Sequence, residues 1–166
     1  MDNNKHNPNK EDNSPVGVIH ILLLKSYVIY LLSVVLGVIL NSNFHINLFE
    51  NNIYQYFGFL LIVIGSVFIY WAQNTTSYPK SDIRKERDTN FFIRGPYKYT
   101  RNPTNLGVTL MSLGLGFILN SFLSVILVLI AYLFSKLFFI RKQDIVLEKR
   151  YGKIFDDYKK QVRDWL

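Results

Sequence analysis

At 166 residues the chain has room for one domain, yet 49% of it is hydrophobic and 19% charged. A soluble core of that size cannot absorb its long apolar runs, several of which approach the ~20 residues that cross ~30 Å of hydrocarbon. The lack of cysteine excludes disulfides, a thiol nucleophile and cysteine-ligated metal. The net charge of +7 lies beside apolar runs, which favours lipid headgroups over nucleic acid as partner.

Residues 1–15 are polar, rich in Asn and Lys, and read as a disordered tail. The rest, 16–166, reads as one membrane domain. The first span is expected from Val16 or Ile19 to Leu40, closed by the polar turn Asn41-Ser42-Asn43, with Lys25 snorkelling from its first third. The second runs from Ile53 to Ala72, with Tyr54 and Tyr56 at one end and Tyr70 and Trp71 at the other, as an interface belt requires. Gly58 and Gly65 stand two turns apart on one face, open to a close neighbour.

A polar stretch, Gln73 to Thr104, follows. Leu106–Leu119 and Phe122–Ile140 then read as the third and fourth spans of a tight hairpin joined at Asn120-Ser121. Gly107, Gly114 and Gly116 lie within an apolar helix, not after a strand, so they predict helix packing and no nucleotide loop. Lys136 sits deep in the fourth span, either functional or snorkelling. From Arg141 onward Ile145, Leu147, Tyr151, Phe155 and Tyr158 recur at helical spacing, which predicts one or two amphipathic helices at the membrane surface. The expected fold is all-α: a bundle of about four transmembrane helices with a C-terminal amphipathic segment at the cytoplasmic face.

The cytoplasmic assignment follows from the basic residues. The Asn41–Asn52 loop has none, whereas Gln73–Thr104 carries Lys80, Arg84, Lys85, Arg87, Arg94, Lys98 and Arg101, and the C-terminal segment is equally basic. Four spans then place both termini in the cytoplasm. The Asn/Ile/Lys-rich composition points to a prokaryotic plasma membrane. The oligomeric state is left open.

That topology brings Gln73–Thr104 and Arg141–Leu166 to the same face. Gly95-Pro96 fixes a turn, and Arg101-Asn102-Pro103 opens a spanning helix whose first N–H groups and dipole suit a carboxylate. Arg101 can add a bidentate grip on the same anion. The three histidines, His6, His20 and His45, are scattered and form neither base nor metal site.

The run Gly95-Pro96-Tyr97-Lys98-Tyr99-Thr100-Arg101-Asn102-Pro103, continued by Leu106-Gly107, resembles the G-P-Y-R-Y-x-R-H-P-x-Y-x-G signature of the isoprenylcysteine carboxyl methyltransferase and phospholipid methyltransferase superfamily. The C-terminal D-x-x-L-E-x-x-Y-G-x-x-F-x-x-Y-x-x-x-V-R-x-W-L is similar to that superfamily's second block, and the resemblance covers Ile53 to Leu166. It implies an integral membrane methyltransferase using S-adenosylmethionine on a small or lipid-like acceptor that enters from the bilayer. It also implies a cofactor side made of Gly95, Pro96, Tyr97, Tyr99, Asn102, Pro103, Gly107, Gln143, Asp144 and Glu148, with Arg101 and Asp144 as candidates for catalysis. Four positions depart from the signature: Asn102 replaces His, Asn105 replaces Tyr, and Gln143-Asp144 replaces a Glu pair, for which Glu148, one turn on from Asp144, is a substitute. With no histidine in either block, an acceptor carboxylate, which needs no base, is favoured. Phospholipid N-methylation, thiol S-methylation and a non-catalytic membrane protein are the alternatives.

Overall fold

The structure, a computed structural model, describes residues 15–44, 53–76 and 92–164, and these contain helices and turns but no regular strand. The polar tail falls outside the described residues, as does most of the long basic loop. Apolar runs lacking internal proline form α1 (Pro15–Phe44) and α2 (Ile53–Thr76). A 3-10 turn at Gly95–Lys98 precedes α3 (Pro103–Ile118). Then come α4 (Phe122–Phe134), a π turn (Ser135–Ile140), α5 (Arg141–Tyr151) and α6 (Lys153–Gln161).

The hairpin forms where it was expected. Asn120 takes the left-handed conformation, φ 48°, and the Ser121 side chain caps α4 by accepting the Ser124 N–H. Two expectations change. Among the described residues three helices are long and apolar enough to cross a membrane by length and composition: Gly17–Phe44, Ile53–Thr75 and Phe122–Tyr151. The third expected span, α3, has 16 residues, or ~24 Å of rise against ~30 Å of hydrocarbon. Nor does a surface helix begin at Arg141. The fourth helix passes through the π turn and continues to Tyr151 as one 30-residue helix. Polar side chains at 141–144 alter its surroundings without breaking its backbone ladder, and the break comes only at Gly152, where φ is 55°.

The bundle is apolar outside and partly polar inside. Leu31, Leu36, Phe59, Val67, Ile130 and Leu137 are exposed, while Ser26, Asn105, Thr109, Ser112, Ser124 and Ser135 are buried. Such a distribution suits lipid, in which every buried polar group must find a partner inside the protein. The helix α3 touches α1, α2 and α4, and its buried positions are small or polar: Pro103, Asn105, Gly107, Thr109, Ser112, Gly114 and Gly116.

Two glycine pairs set the α2–α3 distance. A Cβ on Gly58 would lie 2.6 Å from the Gly114 carbonyl oxygen, and one on Gly114 2.5 Å from that of Gly58. Gly65 and Gly107 repeat the arrangement at 2.5 and 2.7 Å. Backbone meets backbone at both points, the close approach that small residues permit between membrane helices. On the other side of α3, Tyr30 and Val34 of α1 pack against Val128 and Ala131 of α4.

Candidate functional site

One end of the bundle gathers the polar residues. Gly95 adopts φ 52° at the start of the 3-10 turn, and a Cβ there would overlap the Thr75 hydroxyl at the end of α2. Only glycine meets both demands. Pro96 is buried, and the turn closes through Tyr99 and Thr100 N–H groups donating to the Pro96 carbonyl at 3.1 and 3.2 Å. Pro103 occupies the first turn of α3, where the missing N–H is no loss. Asn102 stands at the cap position without capping through its side chain.

An apolar cluster outside the long spans holds this turn against α5 and α6. The Phe92 ring lies 5.0 Å from Tyr151, 5.7 Å from Phe155 and 5.2 Å from Tyr158. Phe155, Tyr158 and Val162 are buried in the same cluster. The Tyr158 hydroxyl donates to the Tyr97 carbonyl at 2.8 Å. Burial pushes both phenols above their ordinary pKa, with Arg101 opposing the shift at Tyr158 and the Thr104 hydroxyl opposing it at Tyr97. Both stay protonated near neutral pH and act as hydrogen-bond donors.

Arg101 sits at the centre, its side chain only 10% exposed. Its Nη1 donates to Asp144 Oδ2 of α5 at 3.1 Å, and its Nη2 pairs with Asp164 beyond α6. The backbone ties the same segments together. The Arg101 N–H donates to the Arg163 carbonyl at 3.2 Å, and the Thr100 hydroxyl donates to the Asp164 carbonyl at 2.8 Å. With Nη1 and Nη2 each engaged by a carboxylate, the guanidinium keeps only its Nε–H, a single donor rather than the bidentate fork expected for an acceptor carboxylate.

The other sequence-derived residues divide into groups. Gln143 is buried beside Asp144. Glu148 pairs with Lys159 of α6, and the second carboxylate on Arg101 is Asp164. Tyr99 is exposed and its ring lies 6.4 Å from Trp71 at the end of α2. Gly107 belongs by its contacts to the glycine seam, its bare face filled by Ile69 and the Gly65 carbonyl. Two buried nitrogens, Arg101 Nε and Asn102 Nδ2, have no hydrogen-bond partner among the described residues.

Sequence reasoning missed a second polar set just inside the bundle. Asn105, in the first turn of α3, accepts at Oδ1 from Ser26 of α1 at 2.9 Å and from Ser135 of the π turn at 3.4 Å. The two serine hydroxyls lie 2.6 Å apart. Thr109 and the Tyr30 hydroxyl are 2.8 Å apart one turn further along. Asn105 Nδ2 has no hydrogen-bond partner among the described residues. No local pattern announces these contacts, since they join helices far apart in the chain. Only the presence of polar residues inside apolar spans hints at them.

A family model described as phospholipid methyltransferase matches residues 53–154, more than half of the 166 residues. No curated protein and no solved structure gives a significant match. The family match runs from the first residue of α2 into α6. It leaves out α1, with Ser26 and Tyr30, and the terminal turn that carries Asp164.

Proposed function

Because the chain belongs to the phospholipid methyltransferase family, and so is an integral membrane methyltransferase, we propose that it moves a methyl group from S-adenosylmethionine to the polar head of a membrane lipid at the Arg101 end of the bundle. The observation that carries the choice of acceptor is the pairing of Arg101 with both Asp144 and Asp164. Two carboxylates against one guanidinium leave a surplus of negative charge, which favours a cationic partner such as a lipid amine and disfavours an anionic acceptor.

The residues present fit the cofactor. Its carboxylate needs N–H donors, and Arg101 Nε and Asn102 Nδ2 are buried donors without a partner at the start of α3. Its cationic groups match the carboxylate surplus. When bound, the sulfonium supplies a methyl group ready for in-line displacement. The chain's own part is alignment and exclusion of water. The Phe92, Phe155 and Tyr158 cluster holds the turn in place, and the Tyr97 and Tyr158 phenols remain neutral donors. An amine acceptor must lose a proton before it attacks, and the Asp144 carboxylate is the group in this site that can take it. Placement in a prokaryotic plasma membrane, with this site at the cytoplasmic face beside the basic residues, is part of the same proposal.

O-methylation of a carboxylate remains a second reading on one observation: neither Gln73–Thr104 nor Arg141–Leu166 contains a histidine to serve as base. The two separate in one assay. The full chain, reconstituted in vesicles containing phosphatidylethanolamine and a fatty acid, is given S-adenosylmethionine labelled in its methyl group. Label in an N-methylated headgroup is the expected result. Label in a methyl ester overturns the amine reading, and no label in either product overturns transfer to these lipids altogether.

A further inference from the structure

The site lacks one carboxylate in sequence and gains one in space. Where the superfamily signature carries a Glu pair, this chain has Gln143-Asp144, so α5 offers one carboxylate at that place. Beyond α6, outside the residues that the family model matches, the chain turns back and lays Asp164 on the Arg101 guanidinium. We infer that Asp164 is a positioning residue of the methyl-transfer site, the second carboxylate that, with Asp144, fixes the Arg101 guanidinium.

Its placement is built from several directions. Val162, 5% exposed, anchors the returning segment in the Phe155–Tyr158 cluster. The Arg163 carbonyl and the Asp164 carbonyl each accept from the motif turn, at Arg101 N–H and the Thr100 hydroxyl. The backbone is thus fixed on both sides of the Asp164 side chain's approach. Glu148, the alternative within α5, is occupied with Lys159. A guanidinium held at both terminal nitrogens loses its freedom to rotate, so its remaining Nε–H points in one direction. Truncating the chain before Val162 would remove the second holder while leaving every residue of the family match in place.

The test uses the full chain in detergent and two readouts, only one of which depends on the methyl-transfer reading. The first is modification of Arg101 by phenylglyoxal, followed by peptide mass spectrometry, with the exposed Arg141 and Arg163 as internal references. In the wild-type protein Arg101 is protected. In Asp164→Asn it is expected to react about tenfold faster, the scale of one lost charged partner, and Asp164→Glu is expected to restore part of the protection. Unchanged protection in Asp164→Asn overturns the inference. Asp164→Glu also keeps the measurement possible if the Asn variant does not fold. The second readout is turnover on phosphatidylethanolamine vesicles. There Asp164→Asn is expected to lower kcat by up to ~10²-fold, the penalty of a misplaced group, with the KM for S-adenosylmethionine little changed. An unchanged kcat in a variant that has lost protection overturns the positioning role. A change in protection in a protein that methylates no lipid leaves Asp164 as holder of Arg101 and removes the proposed function instead.

Discussion

The glycine seam between α2 and α3 and the aromatic cap around Phe92 join neighbouring parts of the chain by different physics. In the seam the carbonyl of one helix fills the space that a side chain on the other would need. Lipid around α2 is as apolar as the helix itself, so shape and van der Waals contact do the holding. In the cap, Phe92, Phe155, Tyr158 and Val162 are driven together by ordinary hydrophobic burial, and ion pairs sit at the margin. A seam of that kind tolerates no added atom, whereas the cap loses stability in proportion to the atoms removed.

Four measurements bear on this contrast. Gly65→Leu is expected to have the largest effect, since even its Cβ would lie 2.5 Å from the Gly107 carbonyl. No folded, monodisperse protein should be recovered in detergent, and recovery at wild-type yield would show that the helices can part. Phe155→Ala should cost ~3–5 kcal/mol, read by denaturant titration, with hydrogen exchange rising in residues 92–100 and staying unchanged along α2. Equal exchange in both regions would make the cap and seam one cooperative unit. Ser26→Ala should cost only ~1 kcal/mol, the usual worth of a hydrogen bond between membrane helices, and a much larger loss would give Asn105 a central structural role.

The smallest effect concerns Tyr158. Burial raises its phenol pKa above the ordinary 10.0, so the stability from its neutral form is complete below that value and fades as pH climbs through the raised one. Tyr158→Phe should lose ~1 kcal/mol at pH ~8 with the bond to the Tyr97 carbonyl. It should then fall less steeply than wild type up to pH ~11. Parallel melting curves at the two pH values would show that this phenol does not titrate with unfolding.

Local features were the legible ones. The Asn120-Ser121 hairpin, Pro103 at the start of α3, Gly95-Pro96 in a turn and the glycine face of α2 all follow from residues within a few positions of one another. The helix through Arg141 was misread because a change from apolar to charged side chains alters surroundings without ending a helix. Asp164 falls at an unspecified position of the second block, between Arg163 and Trp165, for its meaning depends on Arg101, far away in the chain. In the sequence Asn105 stands out only as a departure from the signature, while its partners Ser26 and Ser135 lie on other elements.

The π turn at Ser135–Ile140 has a consequence for inheritance as well as for structure. Such a turn amounts to one extra residue threaded into an α-helix, so all that follows is rotated by about 100° relative to an uninterrupted helix. Gln143 and Asp144 owe their facing to that offset. Deleting a single codon between Ser135 and Ile140 would leave every candidate site residue in the gene and swing Asp144 off Arg101. The helix therefore keeps count, and its reading frame is spatial: substitutions along its lipid face are cheap, whereas a one-residue change of length is not.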